Sequence, residues 1–136
     1  MAVVYSDADQ NSLPVWMADK AIPLGGNTLQ SSYLNMHRIV EIAREVKADA
    51  IHPGYGFLAE NADFARLCEK NGIIFVGPRP DVIRFLGDKM RARHLAQRLR
   101  VKTVPGSGGI LKNVEEAKKI AAQVKYPVLL KAVAGG

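Results

Sequence analysis

The stretch His52-Pro53-Gly54-Tyr55-Gly56-Phe57-Leu58-Ala59-Glu60-Asn61 places Gly54, Gly56 and Ala59 in the spacing G-x-G-x-x-A. In dinucleotide-binding proteins that spacing turns a strand into a helix whose first backbone N–H groups hold a pyrophosphate. The pattern also needs an acidic residue at the end of the next strand to take the ribose hydroxyls, and there the sequence reads Gly77-Pro78-Arg79. An arginine suits the extra phosphate of NADP, so an NADP-binding oxidoreductase module using Gly54, Gly56 and Arg79 is one reading. Pro53 argues against it, because it removes an N–H and stiffens the turn that would wrap the phosphates. The other reading is a sharp turn at a strand end, with the two glycines supplying backbone freedom and Phe57 and Leu58 packing beneath.

Charge supplies a second candidate for anion chemistry. The 136 residues include 19 Lys or Arg against 13 Asp or Glu, a formal net charge of +6. Arg84, Lys89, Arg91, Arg93, Arg98, Arg100 and Lys102 fall in one stretch opposed only by Asp88. Such a run is commonly the solvated face of a helix, and locally it favours phosphates. As the nucleic-acid surface of a non-catalytic interaction domain it lacks interleaved aromatics and any recognised motif. Cys68, the single cysteine, has no partner for an internal disulfide and reads as an inert apolar helix position. His37 and His94 read as helix-surface residues, and His52 as a residue that stabilises its turn. With no nucleophile or carboxylate partner identifiable for a base, no catalytic residue is assigned. The apolar runs are far too short for a membrane span, and neither a signal peptide nor a transit leader opens the sequence, so an intracellular setting is the expectation.

These residues need elements to hold them. Short apolar runs alternate with helical patterns along the whole chain, the βαβ signature of a mostly parallel sheet with helices on its faces. Strands are expected over residues 2–5, 21–24, 48–51, 73–76 and 128–133. A short helix is expected from Leu13, capped by Ser12 with Pro14 in its first turn. Met36, Ile39, Val40, Ala43 and Val46 recur at helical spacing, predicting a helix over 33–47 with one buried face. Further helices are expected over 61–71, 81–86 and 88–100. Val114, Ala117, Ile120, Ala121 and Val124 stripe a last one, with Asn113 as cap and Glu116 at the capping-box position. The chain thus opens on a strand and stops at a strand-to-glycine junction, where α/β folds place phosphates.

Seven stretches, read in order, carry a resemblance. They are Tyr5-Ser6-Asp7-Ala8-Asp9, Ser32-Tyr33-Leu34, the His52 to Asn61 decapeptide, Phe75-Val76-Gly77-Pro78, Leu86-Gly87-Asp88-Lys89, Val104-Pro105-Gly106, and Tyr126-Pro127-Val128-Leu129-Leu130-Lys131-Ala132. Any one is weak, but the ordered set runs through essentially the whole chain. It resembles biotin carboxylase, the ATP-using component of biotin-dependent carboxylases acting on acetyl-CoA, propionyl-CoA, methylcrotonyl-CoA or pyruvate.

The resemblance implies an ATP-grasp enzyme, a ligase in which ATP with magnesium activates bicarbonate as carboxyphosphate and carbon dioxide passes to a ureido nitrogen of biotin on a carrier domain. It implies a doubly wound, Rossmann-like pre-ATP-grasp domain over residues 1–86, lacking its first strand, and the start of the ATP-grasp region over 87–136. Lys89 matches the lysine of the family's GDK motif and Lys131 that of its KA motif, both ATP contacts; a mobile point charge suits phosphate oxygens. Gly135 and Gly136 match the opening of the glycine loop over the ATP phosphates. Tyr55 and Gly56 match positions on the biotin side, where a backbone N–H can donate to the ureido oxygen. The magnesium ligands, bicarbonate-binding residues and catalytic base are expected beyond Gly136, so the expectation is an inactive, marginally stable fragment with no metal site of its own. The implied partners are a biotin carboxyl carrier domain, a carboxyltransferase component and further copies of the parent, with no nucleic acid and no membrane. The implied place is the cytoplasm, or the mitochondrial matrix in a eukaryote.

Overall fold

The structure, a computed structural model, describes residues 1–132 and divides into two compact units, Met1–Arg84 and Phe85–Gly136. In the first unit, β1 (Ala2–Tyr5) pairs in parallel with β2 (Lys20–Pro23), Ala2 opposite Lys20 and Tyr5 opposite Pro23. Parallel neighbours cannot be joined by a hairpin. The link here is a 3-10 turn at Asp7–Asp9 followed by α1 (Leu13–Met17), with Pro14 in its first turn where no N–H is needed. Ser12 occupies the cap position of α1 but its hydroxyl makes no capping bond.

The second pair, β3 (Ala50–Ile51) with β4 (Ile74–Phe75), is also parallel. Its crossover is α3 (Ala62–Lys70), and α2 (Met36–Glu45) leads into it. The core lies between these helices and this pair. Val40, Ala43, Leu58, Phe64, Cys68 and Ile73 are buried together, and the Phe64 and Phe75 rings meet edge to face at 5.9 Å. Ala62, Ala65 and Ile83 form a smaller cluster, Ile83 coming from α4 (Pro80–Gly87). The predicted apolar stripe of α2 is present but wider, because Ile42 is also buried.

The two strand pairs do not join. The Lys20 N–H donates to the Met1 carbonyl and the Leu24 N–H to that of Tyr5, so alternate residues of β1 turn their backbone toward β2. Likewise Ile74 and Val76 donate to Asp49 and Ile51. By the alternation of a parallel ladder, the backbone of Ala2, Val4 and Ala50 faces the other way. Those edges border a cleft of about 920 Å³ whose wall includes Ile39, Ile42, Ala43 and Val46 of α2.

In the second unit, α5 (Lys89–Arg98) is followed by α6 (Val114–Val124). Asn113 caps α6, its Oδ1 accepting from the Glu116 N–H at 2.9 Å. The Glu116 carboxylate reaches back to the Lys112 N–H at 2.8 Å, one residue earlier than a capping box predicts. Residues 128–132, expected as the start of a strand, carry no strand assignment, and Val133 lies outside the described residues. A strand is defined by its ladder, and among the described residues of the second unit no other strand is available to pair.

Candidate functional site

The decapeptide begins at the carboxyl end of β3 and is built as a turn. Gly54 and Gly56 have φ of 69° and 72°, in the left-handed region that glycine enters without cost. His52 closes the turn, its Nδ1 accepting from the Gly54 N–H at 3.1 Å. This is the turn-stabilising role expected of it, and it makes that nitrogen an acceptor held by the backbone. The chain then enters a 3-10 turn at Phe57–Glu60, closed by the Ala59 N–H donating to the Gly56 carbonyl at 2.8 Å. Asn61 ends the segment and caps α3, its Oδ1 accepting from the Asp63 and Phe64 N–H groups, each at 2.9 Å.

The helix that a pyrophosphate loop requires directly after its glycines is therefore delayed to Ala62, and its first N–H groups are already taken by Asn61. Of the two residues expected beneath the turn, Leu58 is buried in the core, but Phe57 is not. Phe57 is 58% exposed and stacks on Tyr33, ring centres 5.7 Å apart and planes 11° from parallel. A left-handed φ of 43° at Phe57 turns its ring outward from the core. Tyr55, at the apex, is 96% exposed. A Cβ added at Gly56 would meet nothing within 4 Å, so open space lies beside the peptide expected to face biotin. Among the described residues no backbone partner is found for the Gly56 N–H.

Tyr55 and Phe57 also border an open cleft of about 850 Å³ shared with the loops that follow β1 and β2. Asp9 is the ionic centre of that region. Its Oδ2 accepts from the Tyr33 hydroxyl at 2.5 Å and the Ser6 hydroxyl at 2.8 Å, and these bonds, the Tyr33 one foremost, hold its carboxyl below the ordinary value of 3.8. Asp9 and Tyr33 stand within the quoted stretches, yet nothing in their spacing indicated a role. Only the fold brings them to the turn.

In the second unit, Leu86-Gly87-Asp88-Lys89 is a junction between helices. Gly87 ends α4, Asp88 caps α5 through its Oδ1, which accepts from the Met90 and Arg91 N–H groups at 3.0 and 3.1 Å, and Lys89 is the first residue of α5. Lys89 is exposed, as are Arg91, Arg98 and His94, while Arg93 reaches the Gly106 carbonyl at 3.5 Å. Lys131 is exposed at the end of residues 128–130, which border with Ala117, Ile120 and Val124 a cavity of about 330 Å³. Gly135 and Gly136 lie outside the described residues. Two exposed lysines, one at a helix start and one on an extended segment, fit phosphate oxygens chemically. His37 is exposed on α2, and Cys68 is fully buried with its thiol pushed up to about 11 by burial, the condition of an inert core thiol.

Comparison with known proteins places this geometry. Residues 1–83 match the family described as biotin carboxylase, N-terminal domain. The chain belongs to the biotin carboxylase family. Residues 88–136 match the ATP-binding domain of the carbamoyl-phosphate synthase L chain. The 2-oxoglutarate carboxylase small subunit of Hydrogenobacter thermophilus is 57% identical over 133 residues, which are 98% of this chain and 28% of that protein. Biotin carboxylase 1 of Bacillus subtilis is 53% identical over 98% of this chain and 30% of its own length. The chain thus spans about three-tenths of these relatives. Among solved structures, the biotin carboxylase domain dimer of the Hydrogenobacter enzyme, in complex with MgADP, ADP and bicarbonate, superposes with a TM-score of 0.88 at 56% identity, covering 99% of this chain and 30% of that one. A Campylobacter jejuni biotin carboxylase in a beta-gamma-ATP complex gives 0.89 at 44% identity, over 99% and 30%.

Proposed function

We propose that this chain supplies the N-terminal part of a biotin carboxylase, the component that carboxylates carrier-bound biotin with ATP and bicarbonate. The observation that carries the reading is the 57% identity to a carboxylase subunit along 98% of the chain. The identity spans motifs whose geometry suits the task, an open Gly56 peptide and two exposed lysines. We read residues 1–86 as the pre-ATP-grasp domain, with a doubly wound, Rossmann-like plan. Residues 87–136 are then the start of the ATP-grasp region. The division between the two units near Arg84 supports that boundary.

In this reading Lys89 and Lys131 offset phosphate charge, and Gly135 and Gly136 begin the loop over the phosphates. Tyr55 and the Gly56 N–H lie on the biotin side, the N–H donating to the ureido oxygen and so favouring charge that develops there when the ring nitrogen reacts. ATP with magnesium supplies the phosphoryl group that activates bicarbonate. A carrier domain and a carboxyltransferase component are the macromolecular partners, with further copies of the whole protein as neighbours. The work would proceed in the cytoplasm, or in the mitochondrial matrix of a eukaryote; relatives from pig, human and Dictyostelium discoideum are mitochondrial proteins, and among the described residues no helix is long and apolar enough to cross a membrane.

The test is a chimera in which this chain replaces the matching 133 residues of the Hydrogenobacter subunit. Biotin-dependent ATP cleavage by the chimera, abolished by Lys131→Ala, is the expected result. A folded chimera with none would overturn the reading. The purified 136-residue chain alone is expected to show no such turnover.

A further inference from the structure

Three stretches far apart in sequence converge on the turn at Tyr55. Asp9 takes hydrogen bonds from the Ser6 and Tyr33 hydroxyls, and the Tyr33 oxygen in turn accepts from the Ser6 N–H at 3.1 Å. The oxygen of Tyr33 therefore has a donor and an acceptor on the loop after β1, which fixes where its ring stands. That ring lies flat against Phe57, the residue that follows Gly56. Phe57 is held at a φ of 43°, a conformation unfavourable for a side chain with a Cβ, and core burial does not explain it because the ring is mostly exposed. What meets the ring is Tyr33.

We propose that Asp9, Tyr33 and Phe57 form a clamp that sets the position of the Tyr55–Gly56 peptide, making them positioning residues for the biotin side of the site. The chain of contact runs from a carboxylate through a hydroxyl and two stacked rings to the backbone that carries the Gly56 N–H. Asp9 and Tyr33 act at a distance and touch no substrate themselves. The inference rests on the reading of Tyr55 and Gly56 given above, and it names the residues through which that reading depends on the loop after β1.

Two measurements test it. In the chain itself, hydrogen exchange of the Ala59 amide, which donates to the Gly56 carbonyl at 2.8 Å, reads the clamp without reference to any substrate. Phe57→Leu and Tyr33→Leu are expected to speed exchange there, and Tyr33→Phe, which keeps the stack but loses the hydroxyl, to do so less. The Phe57 ring is mostly exposed, so Phe57→Leu keeps the core intact, and exchange unchanged in that variant would overturn the clamp. In the chimera, the same substitutions are expected to raise KM for biotin about two- to tenfold, the worth of an aromatic pair, with KM for ATP unchanged. A lowered melting temperature with biotin KM unmoved would reduce the contacts to plain stabilisation and overturn the positioning role. Gly56→Ala separates the two levels. If it leaves biotin KM unchanged, the biotin-side reading fails, and the exchange data still decide whether the clamp exists.

Discussion

The turn from His52 to Asn61 and the segments that carry Lys89 and Lys131 are held in opposite ways. The turn is fixed from several sides: a histidine nitrogen on a backbone N–H, two left-handed glycines, an aromatic stack, a buried leucine and a helix cap. Lys89 stands on a helix with no buried residue, secured chiefly by the Asp88 cap, and Lys131 follows residues 128–130, all of them exposed. The difference teaches that the first unit fixes its candidate turn from several sides, whereas the second presents its candidate lysines on exposed segments. A group that must present a peptide N–H at a fixed angle needs a rigid frame, whereas a cation for phosphate can be drawn into place by the charge it meets.

The largest expected effect tests the frame. Phe64→Ala empties the centre of the first unit and should cost about 3–5 kcal/mol, read as a lower urea midpoint. Ile120→Ala, on the half-buried face of α6, should cost far less, about 1 kcal/mol. Equal losses would break the contrast between the two regions. Removing caps sharpens it. Asn61→Ala should cost about 1 kcal/mol and move the midpoint of the first unit, while Asp88→Ala should only fray α5, seen as faster amide exchange near Met90. Lys131→Ala should change stability by less than about 0.5 kcal/mol yet remove protection by ATP-magnesium in the chimera. A large loss of stability would mean that Lys131 is part of the frame after all.

The smallest effects lie at the two ends of the pH scale. The Asp9 carboxyl is held low by Tyr33 and Ser6, so its contribution is present above the ordinary carboxylate value of 3.8 and is lost as pH falls below it. Asp9→Asn should flatten the acid limb of a stability profile, leaving the neutral region little changed. Cys68 runs the other way. Its thiol is raised from 9.0 to about 11, so burial favours the fold below pH 9 and that advantage is lost as pH rises from 9 to 11. At pH 8 an alkylating reagent should label Cys68 only after unfolding.

Much of this was legible in the sequence. The periodicity of α2, the cap at Asn113 and the buried state of Cys68 follow from local rules about apolar spacing and side-chain acceptors, whereas the caps at Asn61 and Asp88 emerge only from the structure. The glycines at 54 and 56 were readable as a turn because Pro53 and Arg79 disagreed with a nucleotide loop. Phe57 was misread because its direction is set by a left-handed φ and by a ring 24 residues upstream, neither of which spacing reports. The same holds for Asp9 and Tyr33, whose meeting depends on a crossover. Residues 128–132 read as the start of a strand from composition alone, but a ladder is made by two segments, and one segment cannot predict its partner.

The cleft between the two strand pairs has a consequence for how the chain behaves before it is finished. Each pair closes through its own crossover, so both can form early and independently, leaving two parallel edges bare in the middle of the unit rather than at its rim. Each edge leaves backbone N–H and C=O groups that a further strand could pair with. A newly made polypeptide in this state carries two open templates at once, and the time it spends so exposed, more than its final free energy, governs how often it is caught by another copy.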